Sequence, residues 1–529
     1  MKSVVKSIFF LALAMCAQAA EPAFRFAEAT IDDLQARMAA GTLTARELTA
    51  AYLERIAQVD RTGPRLNAVI ELNPDALSLA EKLDAERQAG RVRGPLHGIP
   101  ILLKDNIATA DGMETTAGSL ALIGLKPPRD AHLVTRLREA GAVLLGKTNL
   151  SEWANFRGER SVSGWSGRGG QTLNPYALDR TPSGSSSGSA VAVAANLCVA
   201  AIGTETNGSI LSPAAVNGIV GLKPTVGAVS RSGVIPIAAS FDTAGPMTRT
   251  VRDAALVLAA LAGVDARDDA TRALPHTRAA EWTKALPAGA LRGTRIGVVR
   301  NAGLRPALET AFTAAVATIR AAGAEVIDLG EFPGLAAASA PRIEVMLYEM
   351  KAGIDAYLRE LGPASPMKTL ADVIRFNDDN WPREQPLFGQ QYFTRAQAKG
   401  PLTDAAYLAA LATCHRIART EGIDALTATH RLDAFIAIGA AASLLAPARG
   451  DDPIFGGRGP NGGSAVAAAA MAGYPSLTVP MGQVAGLPVG LIFFGPAWSE
   501  AKLLALAVDF ETRTQARREP KFLPTLTLR

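Results

Sequence analysis

The sequence predicts an α/β protein built around a largely buried sheet. Helix-like and strand-like segments alternate along the whole chain. The strand candidates are continuous apolar runs, as expected for strands covered on both faces. No long linker interrupts the pattern, although 529 residues would ordinarily suggest two to four domains.

The chain opens on a segment to set aside. Lys2 and Lys6 precede the apolar run SIFFLALAMC, and Ala17-Gln18-Ala19 supplies the small-x-small pattern of a cleavage site. Residues 1–20 therefore read as a signal peptide, and 21–529 as the mature domain. The run is shorter than the ~20 apolar residues of a membrane span, so an exported protein, periplasmic or secreted, is expected. Cys16 raises lipoprotein processing, but the bulky Met15 stands where a small residue belongs.

Next, TLTARELTAAYLERIAQVD begins with a capping box, Thr44 to Glu47, and places Leu48, Tyr52 and Ile56 on one helical face. GAVLLG (141–146) and TRIGVV (294–299) are short buried strands. PALETAFTAAVATIRAAG (306–323) is a helix leading into the strand AEVIDL. LDAFIAI (432–438) and SLTVPM (476–481) are further strands. The looser stretches 264–293, 376–403 and 446–463 read as surface insertions or lids.

Composition excludes several classes of function. Formal charge is only +5, and the two leader lysines account for part of it. No basic stripe with interleaved aromatics is present, so nucleic-acid binding is not expected. Of three cysteines, Cys16 leaves with the leader, and Cys198 sits in an apolar run as a buried free thiol. No HExxH, CxxC or carboxylate cluster has ligand spacing, so no metal site is expected.

Two catalytic motifs match in letters only. GAVLLGKT (141–148) fits the phosphate-loop pattern, but its four intervening residues are the strand itself. GSSSG (184–188) fits a nucleophile elbow centred on Ser186, but a turn-rich approach with two prolines replaces the strand that an elbow needs. None of the five histidines lies near either serine motif in sequence; His415 and His430 stand downstream as partners for the elbow reading, and a lysine is the other candidate base. Lys104, in GIPILLKDN, ends an apolar strand, where burial would lower its pKa. Asp105 points to the opposite face and need not contact it.

Geometry links the two serine-rich stretches. AVAVAAN forms a helix starting near Ser186, and CVAAIG returns as a strand. About ten helical residues rise about 15 Å, and six strand residues about 20 Å. TETNGS therefore returns beside the helix N-terminus, with Ser185 near Ser209. The helix N–H groups there favour developing negative charge.

Together GIPILLKDN, GKTNLSEWA, GSSSGSAVAVAAN, GTETNGSILSPAAVNGIVGLKPT and GLPVGLIFFGP resemble the amidase signature family across residues 30–510. The approach SEWANFR…SGWSGRGGQTLNPYALDRTPSGSSSGS looks more particularly like bacterial peptide amidases, which release ammonia from C-terminally amidated peptides. The resemblance implies a single large domain with a mixed central sheet between helix layers, no cofactor, and a small amide or amidated peptide as substrate. It also implies a Ser-Ser-Lys triad. Lys104 matches the family's lysine, Ser185 the bridging serine and Ser209 the acylated nucleophile. Backbone amides of Thr206, Asn207, Gly208 and Ser209 match the oxyanion hole. Much of the family has Asp and Gly where this chain has Glu205 and Asn207. Glu at 205 also occurs in the peptide-amidase group, and Asn tolerates left-handed backbone, so a nest of N–H groups is expected to survive. Two alternatives remain at this point: a broad small-amide or oligoamide hydrolase of the same family, and a periplasmic peptide-binding protein.

Overall fold

The computed structural model describes residues 24–526, apart from 276–277, 285, 302, 444 and 446–462. The leader expected over 1–20 and most of the loose stretch 446–463 lie outside the described residues.

Thirteen strands are described: β1 Val69–Leu72, β2 Pro100–Lys104, β3 Val143–Thr148, β4 Trp165–Ser166, β5 Gly170–Gln171, β6 Ala200–Glu205, β7 Val220–Lys223, β8 Thr243–Thr248, β9 Arg295–Val299, β10 Glu325–Gly330, β11 Ala434–Ala441, β12 Ser476–Val484 and β13 Leu487–Phe494. β4 and β5 form a small hairpin. The other eleven make one sheet in the order β1-β3-β2-β6-β8-β7-β12-β13-β11-β9-β10. Pairing is parallel at β2–β3, β2–β6, β9–β10 and β9–β11, and antiparallel elsewhere, so the sheet is mixed.

Side-chain alternation along β11 and β13 shows how that sheet is covered. Leu487, Val489, Leu491 and Phe493 enter one hydrophobic cluster, while Ile492 and Phe494 enter another. Ile436 and Ile438 follow the first set, and Phe435 and Ala437 the second. A period of two sends neighbours to opposite faces, so each face carries its own core. Helices Pro306–Ala321 and Glu500–Thr514 pack on the first, through Phe312, Ile319, Leu503 and Phe510. The 27-residue helix Leu335–Leu361 packs on the second, through Val345, Leu347, Met350 and Ile354. Each such side chain taken from water contributes roughly 1.5–3 kcal/mol.

The predicted elements form, with shifted ends. The capping box holds at Thr44 and Glu47 over a helix Ala45–Arg55, and Leu48, Tyr52 and Ile56 are fully buried. The strand read at 141–146 spans Val143–Thr148, because pairing with β2 carries it through Lys147 and Thr148. The returning strand read from Cys198 starts at Ala200 and runs to Glu205.

The stretch 376–403 lies largely at the surface, as a surface insertion would, but part of it is tied into the core. It holds helices Trp381–Glu384 and Gln391–Gln397, and the Glu384 side chain is fully buried. Its Oε1 accepts from Leu120 N at 2.6 Å and Ser119 Oγ at 3.1 Å. The buried guanidinium of Arg157 lies between Glu384, 3.9 Å away, and Glu152, 3.2 Å away. Burial without full pairing pushes the Glu152 carboxyl well above the usual carboxylate range, although Arg157 opposes this. A segment rich in charge reads as exposed until its partner is known.

The helix Ser187–Ala194 is pressed against β1 and β3 at Gly188. A Cβ there would stand 2.3 Å from Ala68 O and 2.5 Å from Asn149 O, both backbone atoms that cannot swing aside. Gly188→Ala should therefore destabilise the protein by about 1–3 kcal/mol, read as a lowered calorimetric Tm. A variant melting with the wild type would show that this helix is not held so close to the sheet.

Candidate active site

Lys104 ends β2, sealed from the surface. Its side chain is 0% exposed, and among the described residues it joins no ion pair. Nζ lies 2.7 Å from Ser185 Oγ, and donates to Thr204 Oγ1 at 2.8 Å and Thr204 O at 3.2 Å. Burial pushes the amine down to about 7, with the charges of Asp242 and Glu205 partly restoring it. Asp105 faces away, as strand alternation requires, and accepts from Thr116 Oγ1 and Gly118 N.

Two other lysines are equally buried, Lys147 and Lys223, each pushed down to about 8 by burial. Lys147 donates to Ile107 O at 2.7 Å and Thr115 Oγ1 at 2.8 Å, and Lys223 to Pro224 O at 3.0 Å. Lys104 differs in facing a serine hydroxyl. Lys147 is the lysine of the phosphate-loop match, and its place inside β3 removes that reading.

Ser185 and Ser186 stand at the N-terminus of the helix Ser187–Ala194, with Ser186 as the capping residue. Ser185 is fully buried, and its carbonyl accepts from Ser151 N at 3.0 Å. Ser186, the serine of the elbow match, is used structurally. Its hydroxyl donates to Thr204 O at 3.0 Å and accepts from Thr204 N at 3.1 Å. Its own N–H donates to Ser209 O at 3.1 Å. The two serine stretches are thus joined directly, as their lengths predicted.

Beyond β6 the chain forms a tight loop closed by its own carboxylate. Glu205 Oε2 accepts from Ile210 N at 2.8 Å and Leu211 N at 3.0 Å. This bows Thr206, Asn207, Gly208 and Ser209 outward. The left-handed residue is Gly208, at φ +86°, and Asn207 does not adopt positive φ. The expected tolerance of Asn207 for left-handed backbone is therefore not needed: the adjacent glycine makes the turn. No acceptor for the N–H groups of Thr206, Asn207, Gly208 and Ser209 occurs among the described residues. Thr206 is anchored sideways, Oγ1 donating to Asp242 Oδ1 at 2.5 Å, while Asp242 Oδ2 accepts from Ile237 N and Ala238 N at 2.9 Å. Burial raises Asp242 to about 6 against those hydrogen bonds. Ser209 is 8% exposed where Ser185 and Lys104 are sealed, so a solute would meet Ser209 first.

Chemically, the site combines the Ser209 hydroxyl near the surface, the sealed Ser185 hydroxyl beside an amine poised near neutrality, and four N–H groups without an acceptor among the described residues. Sequence reading missed the supports: Thr204, Asn106, Asp242 and the cap formed by Glu205. A cavity of about 310 Å³ runs alongside, lined among others by Asn106, Thr204, Thr206 and Asp242. The only sequence signal for Thr204 was its place at the end of the strand beside Lys104.

A family model described as Amidase matches residues 47–504. The native peptide amidase from Stenotrophomonas maltophilia superposes with a TM-score of 0.88 at 54% identity, covering 94% of this chain and 99% of that one. The structure of a peptide amidase in complex with the competitive inhibitor chymostatin matches equally, at TM-score 0.88 and 54% identity over 94% and 100% of the two chains. A probable amidase of Arabidopsis thaliana is 40% identical, over 94% of this chain and 93% of its own length. The chain belongs to the amidase family and is a hydrolase of linear amide C–N bonds.

Proposed function

We propose that this protein removes the C-terminal amide of peptides, releasing ammonia, through Ser209, Ser185 and Lys104. The observation that carries the reading is the 2.7 Å approach of Lys104 Nζ to Ser185 Oγ in a site where the amine has no ion pair among the described residues. The 54% identity to a peptide amidase favours the amidated-peptide substrate. A peptide-binding protein would have no use for a sealed, near-neutral amine behind two serines.

In this reading Ser209 Oγ attacks the amide carbon and passes its proton to Ser185 Oγ, which gives its own to neutral Lys104. The oxyanion is received by the N–H groups of Thr206, Asn207, Gly208 and Ser209, with the Thr206 side chain holding the loop on Asp242. Loss of one such donor costs a hundredfold or more in other hydrolases. As the C–N bond breaks, the proton returns to the leaving ammonia, and water hydrolyses the acyl-enzyme through the same relay. The relay uses no cofactor. The leader-like residues 1–20 support a periplasmic or secreted location, for which cell fractionation is the test.

Ser209→Ala should abolish turnover and covalent labelling by a serine-directed reagent. Lys104→Met should lower kcat about a hundredfold to ten-thousandfold, the usual worth of a positioned base, in a folded protein. Near-normal turnover in Lys104→Met would end the relay reading. Ser186→Ala should instead lower stability by about 1–3 kcal/mol by stripping partners from two buried Thr204 groups, and should keep its labelling.

Only the neutral amine accepts a proton, so kcat/KM should rise with pH through about 7, the depressed value of Lys104. A limb near the ordinary lysine value would mean that the base is exposed or is another group.

Substrate class is decided by mass spectrometry after exhaustive digestion of dipeptide and longer amides. One amide should become one acid with internal bonds intact. Shorter fragments would indicate a peptidase, and action on small non-peptide amides alone would favour a broad small-amide hydrolase.

A further inference from the structure

A lysine that serves as a base has a directional problem. Its neutral amine carries two N–H groups and one lone pair, and free rotation about Cε–Nζ presents the lone pair to any neighbour. Catalysis needs it on Ser185 at each turnover.

The surroundings of Nζ answer this with one residue. Thr204 contributes two oxygens, its carbonyl at 3.2 Å and its hydroxyl at 2.8 Å. The carbonyl only accepts. The hydroxyl is itself restrained, because Asn106 Nδ2 donates to it at 3.0 Å and so occupies one of its two lone pairs. The other is left for a lysine N–H. Thr204 is locked in turn by Ser186, whose hydroxyl holds Thr204 N and Thr204 O. With both N–H groups drawn to Thr204, tetrahedral nitrogen leaves its lone pair in the third direction, where Ser185 Oγ lies at 2.7 Å. After proton transfer the ammonium uses the same three oxygens, so no heavy atom has to move between the two states.

We propose that Thr204 is a positioning residue for the base, and that its hydroxyl, held by Asn106, aims the lone pair of Lys104 at Ser185. This rests on the Ser-Ser-Lys reading above. Asp242 and Glu205 are the charged groups whose fields reach Lys104, but each is engaged elsewhere, Asp242 with Thr206 and Glu205 with Ile210 and Leu211. Neither can do the aiming.

The test compares Thr204→Val, which replaces the hydroxyl by a methyl group of similar size, with Thr204→Ser, which restores it. Thr204→Val should lower kcat about tenfold to a hundredfold, the worth of one hydrogen bond to a charged or reacting group. KM for a dipeptide amide should stay within about twofold, because Thr204 acts on the base and not on the peptide. The acid limb of the pH profile should move to lower pH, since the ammonium loses an acceptor. Thr204→Ser should recover most of kcat and return the limb. If Thr204→Val does not fold, Thr204→Ala and Asn106→Ala provide the same comparison, with melting curves run alongside.

A wild-type kcat in a folded Thr204→Val would overturn the proposal. So would a fall in kcat with an unmoved limb, or one that Thr204→Ser fails to rescue, since either marks a purely structural role. Lys104→Met separates the two levels of argument. Retained activity there sinks the triad itself, whereas an inactive Lys104→Met beside an unaffected Thr204→Val sinks only the role of Thr204.

Discussion

An amine sealed in the protein interior, with no ion pair among the described residues, is the constraint on which the rest of this structure depends. Removing an unpaired ammonium from water costs several kcal/mol even after relaxation. Lys104 meets that cost by sitting near the point where it is neutral, and by facing three uncharged oxygens, on Ser185 and Thr204. Those oxygens must be rigid, because a mobile polar group would admit water or a carboxylate. The centre of the sheet supplies that rigidity: β2 runs between β3 and β6, and every residue of all three strands is buried.

Nearby carboxylates show the same constraint from the other side. Glu205 and Asp242 both act on Lys104, yet neither touches it. A contact pair about 4 Å apart at an effective dielectric near 20 is worth about 4 kcal/mol, or roughly three pKa units. Such a contact would return the lysine to its ordinary value and remove the base. Glu205 is instead turned onto the N–H groups of Ile210 and Leu211, and Asp242 onto Thr206, Ile237 and Ala238. The two acids build the loop around Ser209 and act on Lys104 only through their fields. One deployment of charge thus shapes the loop while leaving Lys104 depressed by burial to about 7.

Legibility in the sequence divides along the same physical line. Lys104, Ser185 and Ser209 stand in stretches whose spacing alone brought the serines together, and the apolar runs named most of the strands on which they sit. Hydrogen-bond partners are less readable, because a side chain's role depends on what folds against it. Ser186 fits a nucleophile motif by letters and proves to be a tie between backbones. Glu384 lies in a stretch that reads as exposed, and its buried carboxylate is met by Ser119 and Leu120, more than two hundred residues away. Asn207 carried the expected left-handed turn, but Gly208, with no Cβ to obstruct it, takes that conformation at lower cost. The helix Leu335–Leu361 carries Pro341 inside it, a residue that ordinarily marks a helix boundary.

The joining of the two serine stretches limits what can vary at the site. Ser186 binds Ser209 through its N–H and Thr204 through its hydroxyl. The backbones carrying Ser185, Ser209 and Thr204, the partner of Lys104, therefore form one hydrogen-bonded unit. Within it the freedoms left to Ser185 and Ser209 are torsions of short side chains, each with about three staggered wells. In the proposed mechanism, fixing the reacting groups in this way before substrate arrives would remove much of the entropy that a transition state would otherwise demand. It also explains why the N–H groups of Thr206, Asn207, Gly208 and Ser209 can remain without acceptors among the described residues. A donor left unpaired in a buried site costs about 1–3 kcal/mol, and a mobile loop would relax to satisfy it. Here Glu205 closes one end of the loop and Asp242 holds Thr206 at its side, so the donors stay open for the charge that the proposed attack by Ser209 would create.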